Sequence, residues 1–578
     1  MQNKKLQHLT DAFNDEDYDI DQIVIHEEKI GIAAKHRTAS INDDLEKKKK
    51  VYYLEGSHKQ MGHLLGRLAE DEIARMTTSF INNVIWAFMD YHPGLKINED
   101  YELDKEKKTM WNLIKEHLGD TVAGLISQFS QGMLTDIPRE YIEEMEGILE
   151  GCKETNSNTR VNRNDLWTLN FGIDWLLAHV YTRFREVKTI TNVLKEKFIK
   201  EIKFPIMCNG FSVFKDAAGG GHFFGRDFMF PTAGVFEDTA CMIIYNPESI
   251  ENVNPLPLVS MTAPGILGCI SGMNIKGVGV GIDMSPSAAC NPNEPGFNSL
   301  LLARNSIEKG GSATSAKDIM VKAKRGVSWN YILSDGTNDK ACVVESVYSI
   351  KEIPFTEFPP KKFMKRCLFR KAFLPNKKFL EKHKTTDQEN GIMVRWEDYK
   401  YDEAYLKYNE ESFKHFRKKL YPDALEKTGF INKDFKEKNC PYTYFFPPER
   451  ETRKDVIITT NHFVIPEMRY TVMDRLLSAV INDVTNDTQW RYDTVNALIL
   501  KAIDEAEKEG KRGMDYDSAK DILNFLSPSG QYPNYYGKNK QVIEGSLSLF
   551  DLKKKTVESH YGYYKDKWIK LTLTKYII

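Results

Sequence analysis

One stretch constrains the fold of this chain more than any other: Cys208 to Phe230, reading CNGFSVFKDAAGGGHFFGRDFMF. Cys208 opens an extended run that ends at Phe214. Three glycines follow at 219–221, and a second run, His222 to Phe228, carries Gly225, Arg226 and Asp227. Two short apolar or aromatic runs around a Gly-rich turn predict a β-hairpin. A cysteine at the first residue of such a hairpin, with an arginine returning on the second strand, has a chemical meaning. Were the Met207–Cys208 bond cut, Cys208 would gain a free α-amine beside its own thiol. That amine can act as the general base, so the nucleophile needs no histidine. Arg226 would then hold the thiol toward its thiolate by charge. Adjacent strand residues face opposite ways, so Arg226 and Asp227 reach one site only through a bulge.

On these residues the chain resembles the N-terminal-nucleophile (Ntn) hydrolases of the linear-amide kind. That group includes choloylglycine hydrolases, penicillin V acylases, acid ceramidases and the penicillin (isopenicillin N) acyltransferases. Their pattern is a Cys followed by a small or polar residue, a hairpin, then Gly-Arg-Asn-x-Asp. Here stand Cys208-Asn209, the hairpin, and Gly225-Arg226-Asp227-Phe228-Met229. Cys and Arg match. The aspartate position falls on Met229, and Asp227 stands where asparagine is usual. Either Asp227 does the aspartate's work or the amine is held in some other way.

The resemblance extends upstream. Gly56-Ser57, Met61-Gly62 and Gly66 look like the opening of penicillin-acyltransferase-like precursors, and Glu144, Gly147, Gly151, Leu169-Asn170 and Asp174 look like their next segment. It implies that residues 1–207 form a structured, mainly helical pro-segment that stays bound after a cut at Met207–Cys208. The catalytic domain would be 208–578. The implied fold is α+β, a four-layer α/β/β/α sandwich. Asn274, in Gly-Met-Asn-x-x-Gly, and Asn330, ahead of a strand ending in Asp-Gly, match the family's two oxyanion asparagines. Removing one such donor costs about 3 kcal/mol of transition-state stabilisation in comparable sites. Asn461-His462-Phe463 resembles the Thr-Asn-His-Phe segment of the acyltransferase branch and would meet substrate, with Arg469 or Arg475 supplying a later arginine. On residue type alone, Asn274 before Lys276-Gly277 also reads as an ordinary turn asparagine, and Arg475 as a helix ion pair.

Bulk properties narrow the partners. The chain has 578 residues, with 80 Lys plus Arg against 82 Asp plus Glu. It therefore lacks the basic excess of a general nucleic-acid binder. Eight cysteines in this length are too few for a disulfide scaffold, and no C-x-x-C pair occurs. His58 and His63 are five apart, unlike the i, i+4 pair of a zinc protease. No metal or organic cofactor is implied. The N-terminal residues hold no signal-like apolar core. No run of 18 apolar residues occurs, so no integral membrane segment is expected. A cytoplasmic protein is the default. The expected partner is a small acyl-amide or lipid-like molecule, and a homodimer is compatible with all of this.

Along the chain, residues 1–50 read as a polar leader with one strand at 22–26. Residues 51–200 read as mainly helical. Residues 208–350 read as strand-rich with helices over 297–309 and 315–324. A charged insertion spans 351–455, with helices at about 400–425. Strands and helices return over 456–578, with helices at 470–481 and 494–507. Three functions stay open on sequence: a self-processing amidohydrolase or acyltransferase, a phospholipase-B-like ester hydrolase with the same nucleophile, and an unprocessed binding protein. A Cys208–His462 dyad is a further enzyme reading, but no papain-type signature surrounds Cys208.

Overall fold

In a computed structural model, the described residues are 2–81, 124–128, 130–183, 208–229, 235–249, 254–287, 289–348, 391–400, 452–465, 468, 488–526, 542–563 and 565–577. They form two β-sheets with helices against each, an α+β arrangement.

The hairpin is as the sequence predicts. β4 (Asn209–Phe214) and β5 (His222–Met229) pair antiparallel, with Asn209 opposite Asp227 and Gly210 opposite Arg226. It lies inside a six-stranded antiparallel sheet. Beside β4 is β13 (Val456–Thr459); beside β5 come β14 (Val542–Asp551), β15 (Thr556–Tyr563) and β16 (Ile569–Thr572). Every β4 residue is buried, which explains its near-continuous apolar run. Phe211 and Val213 face α7 (Thr488–Lys508) and α8 (Tyr516–Leu526), packing with Val495, Ile499 and Leu523. Gly210 and Ser212 face the other way, toward the second sheet.

That second sheet has ten strands. From one edge they are β1 (Tyr18–His26), β2 (Lys29–Ile41), β3 (Asp44–Gly56), β6 (Cys241–Pro247), β7 (Leu258–Thr262), β8 (Ser271–Asn274), β9 (Val278–Met284), β10 (Trp329–Asp335), β11 (Lys340–Ser346) and β12 (Ile392–Trp396). The helices α5 (Ser299–Lys309) and α6 (Ala313–Lys322) lie on β8–β11. All its pairs are antiparallel except β3–β6, which run parallel. A parallel pair needs a long crossover. Here that crossover contains the helices of the N-terminal segment and the hairpin itself.

The N-terminal reading is corrected in one respect. Residues 1–50 are not a leader with one strand. They hold the helix α1 (Gln2–Asp15) and the strands β1 and β2, and β3 begins there, so they make one end of the ten-stranded sheet. Charged residues such as Asp19, Arg37 and Lys48 masked the pattern, because they project from strands with one face in solvent. The helical expectation holds for α2 (His58–Leu68), α3 (Arg139–Thr155) and α4 (Ile173–Arg183). Ser57 caps α2 with a reciprocal Ser57–Gln60 pair. The helices expected at 400–425 and 470–481 lie outside the described residues, and β12 is a strand within the expected insertion.

The glycines singled out upstream explain how α2 meets α3. A Cβ on Gly62 would sit 2.0 Å from the Glu144 carbonyl oxygen, and one on Gly147 would sit 2.1 Å from that of Lys59. Gly66 and Gly151 are equally tight, at 2.3 Å from the oxygen of Ile148 and 2.2 Å from that of His63. Backbone touches backbone, which only glycine permits. Above this seam Arg304 of α5 reaches Glu144 with both terminal nitrogens, at 2.7 and 2.8 Å, and Glu308 at 2.9 Å. All three side chains are fully buried, and His58 completes the cluster 2.7 Å from Glu308. This cluster ties the N-terminal helices to the part of the chain after residue 208.

Candidate active site

Strand alternation decides what surrounds Cys208. Arg226 points from β5 toward the ten-stranded sheet, and Asp227 points the other way, toward α7. No bulge brings them to one face. The Arg226 guanidinium donates to Asp283 Oδ1 at 2.8 Å, to the Asn209 carbonyl at 2.9 Å, and to the Ile282 carbonyl. Two glycines flank it. A Cβ on Gly281 would come within 2.1 Å of its Nε, and one on Gly210 within 2.6 Å of Nη1. The two sheets therefore meet at this point through a buried ion pair, which the absence of two side chains makes room for.

Behind the strand, Asp227 accepts from Asn209 Nδ2 at 3.0 Å, and Asn209 Oδ1 accepts from Arg491 at 2.9 Å. Arg491 comes from α7. It also donates to the Cys208 carbonyl at 2.7 Å and to Asn461 Oδ1 at 2.8 Å. The same Asn461 oxygen accepts the backbone N–H of Cys208 at 2.8 Å, while its amide donates to the Met284 carbonyl at 2.7 Å. The main chain of Cys208 is thus gripped at nitrogen and carbonyl by residues more than 250 positions away. Its thiol points at the Met229 carbonyl, 3.7 Å distant.

The charge balance differs from the sequence expectation. Burial pushes the Cys208 thiol up to about 12, Asp283 adds to the rise, and Arg226 offsets only part of it. Arg226 does not hold a thiolate here, because its charge is already matched by Asp283. Asp227 is also pushed up, to about 7, by burial, which its bond to Asn209 and the charges of Arg491 and Arg226 only partly counter.

Two asparagines have roles other than those expected. Asn274 sits at the far end of β9 from Met284, about 20 Å along the strand. Its amide donates to the carbonyls of Ile307 and Gly310, at 2.7 and 2.9 Å, and its oxygen accepts from the N–H groups of Lys276 and Val278, both at 3.0 Å. It is a turn asparagine with every valence used, so it cannot serve an oxyanion at Cys208. Asn330 lies next to Asp283 in the sheet register, but its amide is spent on the carbonyls of Thr460 and His462, at 2.9 and 2.8 Å. It positions the segment that carries Asn461. Glu345, next in the same row, accepts the N–H groups of Val464 and Ile465. A transverse row of Asp283, Asn330 and Glu345 on β9, β10 and β11 thus holds the hairpin and residues 460–465 against the ten-stranded sheet. His462 sits beside this row, its Nδ1 2.9 Å from Thr460 Oγ1. Met207, Arg469 and Arg475 lie outside the described residues.

Two residues of the site carried no assignment in the sequence. Asp283 had a signal: a lone carboxylate in VGVGIDM, a glycine-rich apolar strand, must find a partner when buried. Arg491 had none, since its contacts lie far away in the chain. Among the described residues no group of His, Cys, Asp and Glu could hold a metal ion. Among them no helix is long and apolar enough to cross a membrane.

No family model matches the chain. An uncharacterized protein of Archaeoglobus fulgidus is 26% identical over 535 residues, which is 92% of this chain and 66% of that protein. The chain therefore spans slightly less than two thirds of that relative. Among solved structures, a mutant of the conjugated bile acid hydrolase from Clostridium perfringens aligns with TM-score 0.32 and 14% identity, over 64% of this chain and 93% of that one. A second variant of that hydrolase gives 0.31 and 15% over the same shares. A Caenorhabditis elegans ortholog of N-acylethanolamine-hydrolyzing acid amidase gives 0.29 and 10%, over 60% and 93%. TM-scores this low leave the chemistry to be read from the residues themselves.

Proposed function

We propose that the chain is a cysteine Ntn amidohydrolase or acyltransferase, made as a precursor and cut at Met207–Cys208, acting on a linear amide of a small acyl compound. The observation that carries this reading is the hold on Cys208. Asn461 and Arg491 fix its backbone nitrogen and carbonyl, and Arg226 lies on the face where its thiol is buried. A structural cysteine needs no such grip on its nitrogen. A nucleophile whose own nitrogen becomes the base needs both groups fixed relative to each other. The stacking of helices, two sheets and helices is what we read as the four-layer sandwich of that family.

The raised thiol fits a precursor. With the amide intact the α-amine base is absent, and the thiol stays protonated. The cut supplies the base. Asn461 replaces Asn274 and Asn330 in this reading as the amide nearest the reacting atoms. After the cut both fragments stay associated, because β3 of the first pairs with β6 of the second.

Intact mass and N-terminal sequencing of the purified protein, beside Cys208→Ala, test the reading. We expect two fragments, the larger beginning Cys-Asn-Gly-Phe, and an uncut variant. A single intact chain in both samples overturns self-processing. It would favour the unprocessed binding protein, for which the burial of Cys208, at 1% exposure, is the supporting observation.

A further inference from the structure

We infer that Asp283, and not Asp227, is the carboxylate that receives the α-ammonium of Cys208 once the chain is cut, an inference that rests on the reading of Cys208 as an N-terminal nucleophile. The backbone nitrogen of Cys208 now has one hydrogen, and Asn461 Oδ1 accepts it. An ammonium would have three. An acceptor for a further one must already be in place, because the site is buried.

Asp283 provides one. Its Oδ1 is taken by Arg226, while its Oδ2 is buried with no hydrogen-bond partner. Such an atom is costly to bury unless something comes to it. Asp227 Oδ1 is also buried without a partner, so the face each carboxylate occupies decides between them. Asp283 lies on the right face. Cys208, Gly210 and Arg226 share the side of the hairpin that meets β9, and Asn461 links the Cys208 nitrogen to Met284, the residue after Asp283. Asp227 is on the opposite face with Asn209 and Arg491. The charges agree with this. Asp283 acts on the Cys208 thiol more strongly than Arg226 does, and Asp227 less strongly than either.

The chemistry balances with these groups. The Cys208 sulfur adds to the Met207 carbonyl carbon, and the thiol proton moves to the departing nitrogen. The C–N bond breaks, leaving a thioester and an amine. Water then adds to the thioester, the C–S bond breaks, and Met207 leaves as a carboxylate with the thiol restored. The proton released charges the amine. Asp283 Oδ2 and Asn461 Oδ1 then hold the ammonium, and Arg226 is left with less of its charge matched, beside the sulfur.

The test compares full-length wild type, Asp283→Asn, Asp283→Glu and Asp227→Asn, with Cys208→Ala as the blank. Cutting is followed by intact mass as a function of time and pH. We expect Asp283→Asn to be cut about 100-fold more slowly with a displaced pH profile, Asp283→Glu to recover part of the rate, and Asp227→Asn, which loosens only the hold behind the strand, to lose less than Asp283→Asn and to keep the wild-type pH profile. A larger loss in Asp227→Asn than in Asp283→Asn overturns the assignment. If wild type itself is not cut, the Ntn reading fails, and all the chains are then intact for a second measurement. That measurement is the thiolate absorbance near 240 nm against pH, taken as the difference from the matching chain lacking Cys208. A downward shift of the Cys208 midpoint that is larger in Asp283→Asn than in Asp227→Asn keeps Asp283 as the carboxylate at Cys208. An equal or smaller shift overturns it.

Discussion

At the scale of single residues, the site depends on atoms that are missing as much as on those present. Gly281→Ala would drive a methyl group into Arg226 Nε. We expect it to cost about 1–3 kcal/mol by overpacking and to break the Arg226–Asp283 pair, with cutting lost before the fold. Urea unfolding together with the mass assay would separate the two. Gly132→Ala, where nothing lies within 4 Å of the added carbon, is the control. Asp227 gives a pH signature. Its proton is held more tightly in the folded chain, up to about 7. Its contribution to stability is therefore full below the ordinary carboxylate value of about 4 and lost as pH rises through about 7. In Asp227→Asn, urea midpoints measured from pH 4 to 8 should lack that part of the fall. Cys208, Arg226 and the opposite facing of Asp227 were legible in sequence, because a hairpin's register and alternation are local. The roles of Asn274 and Asn330 were not, because a motif names a residue without saying which of its hydrogen bonds are already taken.

At the scale of elements, the helices α2 and α3 take part in two joints. The first is the glycine seam of α2 and α3. Gly62→Ala and Gly147→Ala would each push a carbon to about van der Waals overlap with a backbone oxygen that cannot move alone, so we expect a loss of about 3 kcal/mol or more, read from the urea midpoint. The second is the buried cluster of Arg304, Glu144, Glu308 and His58. Arg304→Leu leaves two carboxylates buried without their partner and should cost about 3–5 kcal/mol. Burial alone would lower the His58 imidazole, but Glu308 and Glu144 outweigh it and its proton is held more tightly than usual. Its stabilising contribution is present below the ordinary histidine value near 6.5 and fades as pH rises through the raised one. A His58→Gln chain should show a flatter stability profile above neutrality by thermal melts. Helices with a clear apolar period were legible in sequence, and the glycines marked the seam without revealing it. The charge cluster was hidden, since Glu144 and Arg304 meet only when α3 and α5 do.

At the scale of the whole molecule, the ten-stranded sheet crosses the proposed cut site. We expect the two fragments to elute as one particle in native gel filtration and to separate only in denaturant; separation in native buffer would show that the β3–β6 pairing does not hold them. The sequence by itself determined the local pieces: the hairpin with Cys208 at its head, most of the strands after it, and the helices between. These follow from side-chain period, glycine placement and capping, which act over a few residues. Only the tertiary structure decided that the first 56 residues extend the large sheet, that Asp283 meets Arg226 across two sheets, and that Arg491 and Asn461 close around Cys208. Those contacts join residues tens to hundreds of positions apart. Their partners are selected by burial, where a charge or an amide without a match is too costly to keep, and no local pattern records which match was found.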